Sequence, residues 1–518
     1  MSSGRRLLLA VAAGFAALVT GCSGAGAPPG VVRLGWSGSP DTLHPGRTLL
    51  AYSYTILGLV YDSLYGLGPD GQVQPQALRS AAVSTDGCTW TLSLRTDLRF
   101  HDGVRLTAHD AAFSINLYRD RADYPLLHGY TRNFDGVDAI DDSTLVLRLT
   151  QPLPNLPNQL VYLYILPQHL WRDRVAAADD EGSPPVVGSG PFRVEAFHPK
   201  RYLQLSAWPS HPQAPAIDGA LFESYASRDA LVLALRSAQL DAILETPFTA
   251  VADLRHRAGI HVVAGTPLQP EITNLIINQV DPADCPEEGV CSGHPALRDA
   301  RVRRALALAV HEQKLIDIVL LGQGTPGWTL IPPALGDWFH TGLQAHTYDP
   351  VAARALLDEA GYIDTDGDGV REMPDGGQPL RLRLQWPSDS LYGDRGAQLL
   401  GAMFAAVGVA TRPRTVDPDA LIALGGPAFD FDLVLWGWTT GPDPSFLLEV
   451  MTGDNIDSGG NESGFHDAEF DSLFARQAAE LDLTARRDLV WQMQQLVHDA
   501  NVYVVPFYPD VVQAYRTE

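Results

Sequence analysis

Ile272-Thr273-Asn274-Leu275-Ile276-Ile277-Asn278 follows a turn bounded by Pro267 and Pro270, just past the middle of a 518-residue chain. A short run of β-branched and apolar residues behind turn signals is a strand. Its place between two large halves makes it the expected crossing from one lobe to the other. Upstream, Val31 to Trp36 reads as a short strand and Leu50 to Leu64 as a helix. Trp90, Leu92 and Leu94 then alternate with polar neighbours, as do Leu145, Leu147 and Leu149 and the run Tyr202 to Leu205. Period-two alternation is the pattern of half-buried strands. Gly188-Ser189-Gly190-Pro191 is a glycine-rich corner and a candidate boundary.

Downstream the chain is richer in helices. From Asp299 to Val310, Val302, Ala305, Leu306 and Ala309 share one face, with Asp299 and Arg303 spaced to pair one turn apart. Asp349-Pro350 starts a helix that Gly361 ends. Leu380 to Trp386 alternates as a strand, and Phe431 to Trp436 is nearly all apolar, as a strand buried on both faces is. Two amphipathic helices, 468–479 and 484–497, precede a last strand from Val502 to Phe507. A chain this long exceeds one hydrophobic core. The reading is a bilobal α/β protein.

With 45% hydrophobic and 19% charged residues the composition is that of a globular protein. The net charge of -24 makes nucleic acid and anionic lipid surfaces poor partners. At the N-terminus, Arg5-Arg6 precedes an apolar run of roughly 15 residues that closes on Leu18-Val19-Thr20-Gly21-Cys22, the pattern of a secretory signal with a lipoprotein cleavage site. Residues 1–21 are then the signal, Cys22 carries the lipid, and 22–30 are a flexible tether. The expected location is outside the cytoplasm, held to a membrane by lipid alone. An oxidising compartment favours a disulfide between Cys285 and Cys291, and Cys88 reads as a lone buried thiol.

A longer series of motifs runs in order along the chain: Tyr61-Asp62-Ser63-Leu64, Thr89-Trp90-Thr91-Leu92, Phe100-His101-Asp102-Gly103, Gly188-Ser189-Gly190-Pro191-Phe192, Arg301-Val302-Arg303, Tyr348-Asp349-Pro350, Ala360-Gly361-Tyr362 and Gly437-Trp438. The ordered set resembles the family 5 extracellular solute-binding proteins of peptide, nickel and related ABC importers. That resemblance implies a periplasmic-binding-protein-like clamp of the large type. Lobe I comprises 31–52, 188–270 and 495–518, with an inserted subdomain at 53–187, and lobe II comprises 271–494. Hinges are expected near 268–276 and 490–505. Ligand bridging both lobes shifts the population to the closed form, and the partners are the transmembrane permease subunits; a monomer is expected.

In peptide-binding members an aspartate after the Gly-Trp pair anchors the peptide's amino group, and here that place falls on Gly441. The later Asp443-Pro444 reads as a structural helix cap. Trp436 and Trp438 lie two apart on a strand end and face one side, where an aromatic stacks on ligand or seals the core. The candidate ligand contacts are Trp438, Thr439, Thr440, Gly441, Trp436, Ser37, Gly38 and Asn274. An oligopeptide or peptide-like solute ranks first. The alternatives are an oligosaccharide, an opine or a metal chelate in the same clamp, a sensing or surface-binding role, and, ranked last, a secreted hydrolase with a carboxylate pair hidden among the many acidic residues.

One loop carries its own chemistry. Asp364, Asp366, Asp368, the Val370 carbonyl, Glu372 and Asp375 fall at positions 1, 3, 5, 7, 9 and 12 of a calcium loop, with glycine at position 6. Asp375 stands where a longer, bidentate Glu is usual, so any structural calcium is weakly held; the alternative is a solvated acidic turn. No other cofactor is expected. His101 and Asp102 read as turn residues. The chain has no Gly-x-Ser-x-Gly elbow, no His-Glu-x-x-His and no Cys-x-x-Cys, so an enzyme is not expected.

Overall fold

A computed structural model describes residues 30–517 except 49, 69, 177–185, 268–269, 345, 389 and 458–459. The signal, Cys22 and most of the tether lie outside the described residues. The chain forms two compact units, one up to Pro267 and again from Val511, the other from Pro270 to Asp510.

The first unit is built on a seven-stranded sheet in the order Ile260–Gly265, Val511–Arg516, Ala242–Ile243, Val31–Trp36, Gly219–Ser224, Tyr202–Ala207 and Phe192–His198. Val31–Trp36 pairs parallel with Gly219–Ser224 and with Ala242–Ile243. The alternating stretches of the upstream half form a separate four-stranded antiparallel sheet, Leu78–Val83, Thr89–Leu94, Thr144–Leu149 and Phe134–Ala139. This sheet falls within the segment expected as an insert, 53–187. Its core is nevertheless continuous with that of the larger sheet, because Leu92, Leu145 and Tyr118 belong to one buried cluster with Leu34, Trp36 and Phe222. The expected helix from Leu50 is Ala51–Val60, and it stops where Tyr61 turns extended. Gly188 meets its end so closely that an added Cβ would lie 1.9 Å from the Val60 carbonyl oxygen. His101, on its turn, ties that corner through both ring nitrogens: Nε2 donates to the Gly190 carbonyl at 3.0 Å, and Nδ1 accepts from the Gly188 N–H. Cys88 is half-buried rather than buried, beside Asp86 on an open turn.

The second unit carries a six-stranded sheet, Gly324–Pro326, Tyr503–Pro509, Glu271–Ile277, Leu433–Thr439, Arg381–Pro387 and Ala410–Val416. The crossing strand thus sits near its middle, antiparallel to both neighbours. The tail expected in lobe I from residue 495 divides later: residues 495–510 belong to the second unit, and only the strand from Val511 returns to the first. The physical reason is pairing. Every residue of Tyr503–Pro509 is buried, and the strand takes its ladder from Glu271–Ile277 on one side and Gly324–Pro326 on the other. The expected hinge at 490–505 is likewise interior to the second unit, and the return passage lies at Asp510–Val511.

Side-chain chemistry sets several element ends. Asp349 accepts from the Val351 and Ala352 N–H groups and caps Pro350–Glu359. Asp299 caps Ala300–Ala309, but its ion pair is with Arg301, not Arg303. Arg303 turns inward instead and donates to the carbonyls of Leu297, Arg298 and Ala500, satisfying helix-end and loop acceptors that would otherwise be buried without partners. Cys285 and Cys291 are joined by a disulfide. Among the described residues no helix is long and apolar enough to cross a membrane.

Candidate functional site

In the second unit the register of two adjacent strands brings three of the expected residues together. Ile272 lies opposite Trp438 and Asn274 opposite Trp436, so all four side chains share one face of the sheet. The loop 461–465 is laid on that face. Asn461 locks it from within, donating to the Thr452 and Phe465 carbonyls and accepting from the Ser463 and Gly464 N–H groups. Gln279 N–H donates to the Ser463 carbonyl, and Gly464 adopts φ +70° with Val280 where any Cβ would go.

So placed, the loop aims Glu462 at the end of the Trp strand. Trp438 Nε1 donates to Glu462 Oε1 at 2.8 Å. Phe446 packs edge-on against Trp438, with ring centroids 5.4 Å apart, and is itself exposed. Loss of water pushes the Glu462 carboxyl up to about 7, against the smaller opposing pull of Trp438 and the Asn274 amide, both neutral. Between 4.5 and about 7 the folded protein keeps a proton that the unfolded chain gives up, so this group lowers stability as pH rises through that window.

Asn274 is fully buried, and neither its amide oxygen nor its amide nitrogen has a hydrogen bond of normal geometry. The Tyr503 hydroxyl, on the adjoining strand, is also buried without one. An aromatic wall with unsaturated polar groups is the usual composition of a small-molecule contact surface.

The other expected contacts are committed elsewhere. Thr440 is buried, its N–H given to the Pro270 carbonyl at 3.0 Å and its hydroxyl to the Gly441 carbonyl at 3.1 Å. Thr439 ends the strand exposed, and Gly441 is half-buried. Ser37 and Gly38 belong to the first unit. The Ser37 hydroxyl donates to Glu245, which also accepts from Tyr52 Oη at 2.7 Å and Arg228 Nε at 3.3 Å. Gly38 lies against the Tyr52 ring, where an added Cβ would come within 2.1 Å. Asp443 is held by Arg486, consistent with a structural part.

Glu462, Phe446 and Tyr503 have no mark in the sequence. Glu462 is one acidic residue among many, and only the folding of its loop onto the sheet takes it out of water.

In the acidic loop, Asp364, Asp366, Asp368 and Glu372 can each offer one oxygen within 4.8 Å of the others. Asp375 is not part of that group; its carboxylate accepts the Gly377 N–H at 3.0 Å. Gly367 and Gly369 both take positive φ, +79° and +87°, which makes the tight turns. Arg381 pairs with Asp368 at 2.5 Å and removes part of the loop's negative charge.

Residues 72–459 match the family described as bacterial extracellular solute-binding proteins, family 5 Middle. A putative ABC transporter peptide-binding protein of Brucella ovis is 26% identical over 383 residues, 71% of this chain. The chain covers 66% of that protein's length. Among solved structures, NikA from Brucella suis with Fe(III)-EDTA superposes with a TM-score of 0.81 at 20% identity, over 94% of this chain and 95% of that one. The oligopeptide-binding protein AppA from Bacillus subtilis, in complex with a nonapeptide, gives 0.74 at 19% identity over 95% of both chains. The fold is the bilobal α/β architecture of these binding proteins, and the chain belongs to the family 5 bacterial extracellular solute-binding proteins.

Proposed function

We propose that this protein is the receptor of an ABC importer, capturing an oligopeptide or peptide-like solute and delivering it to permease subunits. It works without catalysing a reaction, and a lipid on Cys22 holds it at a membrane on the extracytoplasmic side. The observation that carries the reading is the face formed by Trp436, Trp438, Asn274 and Glu462, which offers flat aromatic surface beside unsaturated hydrogen-bonding groups. A peptide supplies both complements, an amide backbone and apolar side chains. Support also comes from the Brucella ovis relative, whose name is that of a peptide-binding protein.

The experiment is mass spectrometry of the small molecules released on denaturing the mature protein, purified from Ser23 onward. A ladder of short peptides is the expected result. A single sugar, opine or metal chelate overturns the peptide reading and leaves the receptor reading in place.

The acidic loop is proposed to hold a calcium ion as a framework element, supported by the convergence of Asp364, Asp366, Asp368 and Glu372. With the twelfth position unused by Asp375, affinity belongs in the range of about 10⁻⁴–10⁻³ M typical of extracellular modules. Millimolar calcium is expected to raise the melting temperature, and Asp364→Ala to remove the rise. A wild-type protein whose melting temperature ignores calcium rules the ion out.

A further inference from the structure

The six-stranded sheet of the second unit ends on Ala410–Val416, which pairs with Arg381–Pro387 and has no strand on its other side. Arg412, Pro413, Arg414 and Thr415 are exposed in succession, so water reaches both faces of this stretch. An open edge of this kind offers its backbone groups to any further strand.

Three other edges of the protein are interrupted. Leu78–Val83, Phe134–Ala139 and Phe192–His198 each carry an extra residue against their neighbour, between Leu78 and Ser80, Phe134 and Gly136, and Val194 and Ala196. A bulge bends and twists an edge away from a partner. Ala410–Val416 has no such break, and its parallel register is regular from end to end. What it has is Pro413 at its centre. The Ala410 N–H donates to the Leu380 carbonyl, and the Ser388 N–H to the Val416 carbonyl. The even-numbered residues therefore turn their backbone groups toward Arg381–Pro387. Thr411, Pro413 and Thr415 turn theirs outward, and the middle one of the three has no N–H to give.

Arg412 and Arg414 flank that gap. If a second copy paired antiparallel about a two-fold axis at residue 413, Arg412 of one copy would lie opposite Arg414 of the other, twice over. Like charges directly opposite each other destabilise a strand pair. Against an arbitrary extended peptide the two arginines carry no general penalty; against the chain's own edge they do. If Pro413 were merely tolerated here because its position costs no ladder bond, replacing it would change nothing beyond the strand.

We propose that Pro413, flanked by Arg412 and Arg414, closes this edge to strand addition and so keeps a second copy of the chain from pairing with it. The proline removes the central donor of the new ladder, and the arginines repel their own counterparts.

The test is sedimentation of the mature protein, purified from Ser23 onward, across a concentration series. The wild type is compared with Arg412→Thr/Arg414→Thr, which keeps the proline, and with Arg412→Thr/Pro413→Thr/Arg414→Thr. Threonine suits a strand, so the outer face is changed without loss of strand propensity. Arg412→Gln/Pro413→Ala/Arg414→Gln is carried alongside, so that a folding failure of one triple variant leaves the other to decide, and circular dichroism checks each. The wild type and the double variant are expected to stay monomeric, and the triple variants to double in mass as concentration rises, with amide exchange in 410–416 slowing in the same samples. Folded triple variants that remain monomeric overturn the proposal. So does a double variant that associates as readily as the triple, a wild type that already pairs through 410–416, or association that leaves exchange in 410–416 unchanged.

Discussion

Asp443→Ala is expected to destabilise the second unit by about 3–5 kcal/mol, because it strands a buried guanidinium. Arg486 has a side-chain exposure of 2% and meets Asp443 in a two-pronged pair, Nη1 to Oδ2 at 2.8 Å and Nη2 to Oδ1 at 3.0 Å. Further bonds fix it: Nε donates to the Gln477 carbonyl and Oε1, and Nη2 also to Ser445 Oγ. The guanidinium also lies over the Trp338 ring, 4.8 Å from its centre. Among the described residues Asp443 is the carboxylate paired with Arg486, so its removal leaves the charge uncompensated. The loss measures the stranded cation and not the worth of the pair, so the double variant Asp443→Leu with Arg486→Met should be less destabilised than Asp443→Ala alone. A single variant within about 1 kcal/mol of wild type contradicts this account.

Trp36→Ala is expected to cost about 3–5 kcal/mol in the first unit. Trp36 is 2% exposed, packs against Phe222 at 4.8 Å and edge-on against Tyr52 at 5.4 Å, and gives its indole N–H to Ser224 Oγ. Removing the ring leaves a cavity under the central strand of the seven-stranded sheet. Hydrogen exchange read peptide by peptide is the right measurement for both variants, since a chain of two units need not unfold in one transition. Faster exchange is expected in Val31–Trp36 and Gly219–Ser224 for Trp36→Ala, and in residues 468–500 for Asp443→Ala. Unchanged protection in those segments would contradict each prediction.

The elements with strong periodicity were legible in the sequence. Leu145, Leu147 and Leu149 alternate and are buried in a half-exposed strand. Asp349-Pro350 marks the start of its helix, and 468–479 is helical throughout. Sheet membership was not legible for the last strands. An apolar run such as Val502 to Phe507 shows that a strand is buried, but its ladder partners, Glu271–Ile277 and Gly324–Pro326, lie far off in the sequence, and nothing local names them.

At Arg303 tertiary packing overrides the local rule. Arg303 has a carboxylate one turn away, yet it bonds to carbonyls. For Arg486 a signal did exist: it falls at helical spacing with Val490, Met493 and Val497, on the buried face of its helix. An arginine on that face needs a buried partner, and Asp443 supplies it. The site was half legible. The Gly-Trp pair and Asn274 could each be placed on a strand, but that the two strands pair comes only from the fold, and Glu462 owes its environment wholly to the closure of one loop.

The strand Val511–Arg516 lies between Ile260–Gly265 and Ala242–Ile243, inside the first sheet and not at its edge. On a ribosome it emerges only after the whole of the second unit has been made. Until then the first unit has an open slot in its sheet, with unpaired backbone on both banks, and cannot reach its final state. The second unit, continuous in sequence, has no such wait. Order of synthesis and order of completion are therefore reversed: the unit begun first is closed last.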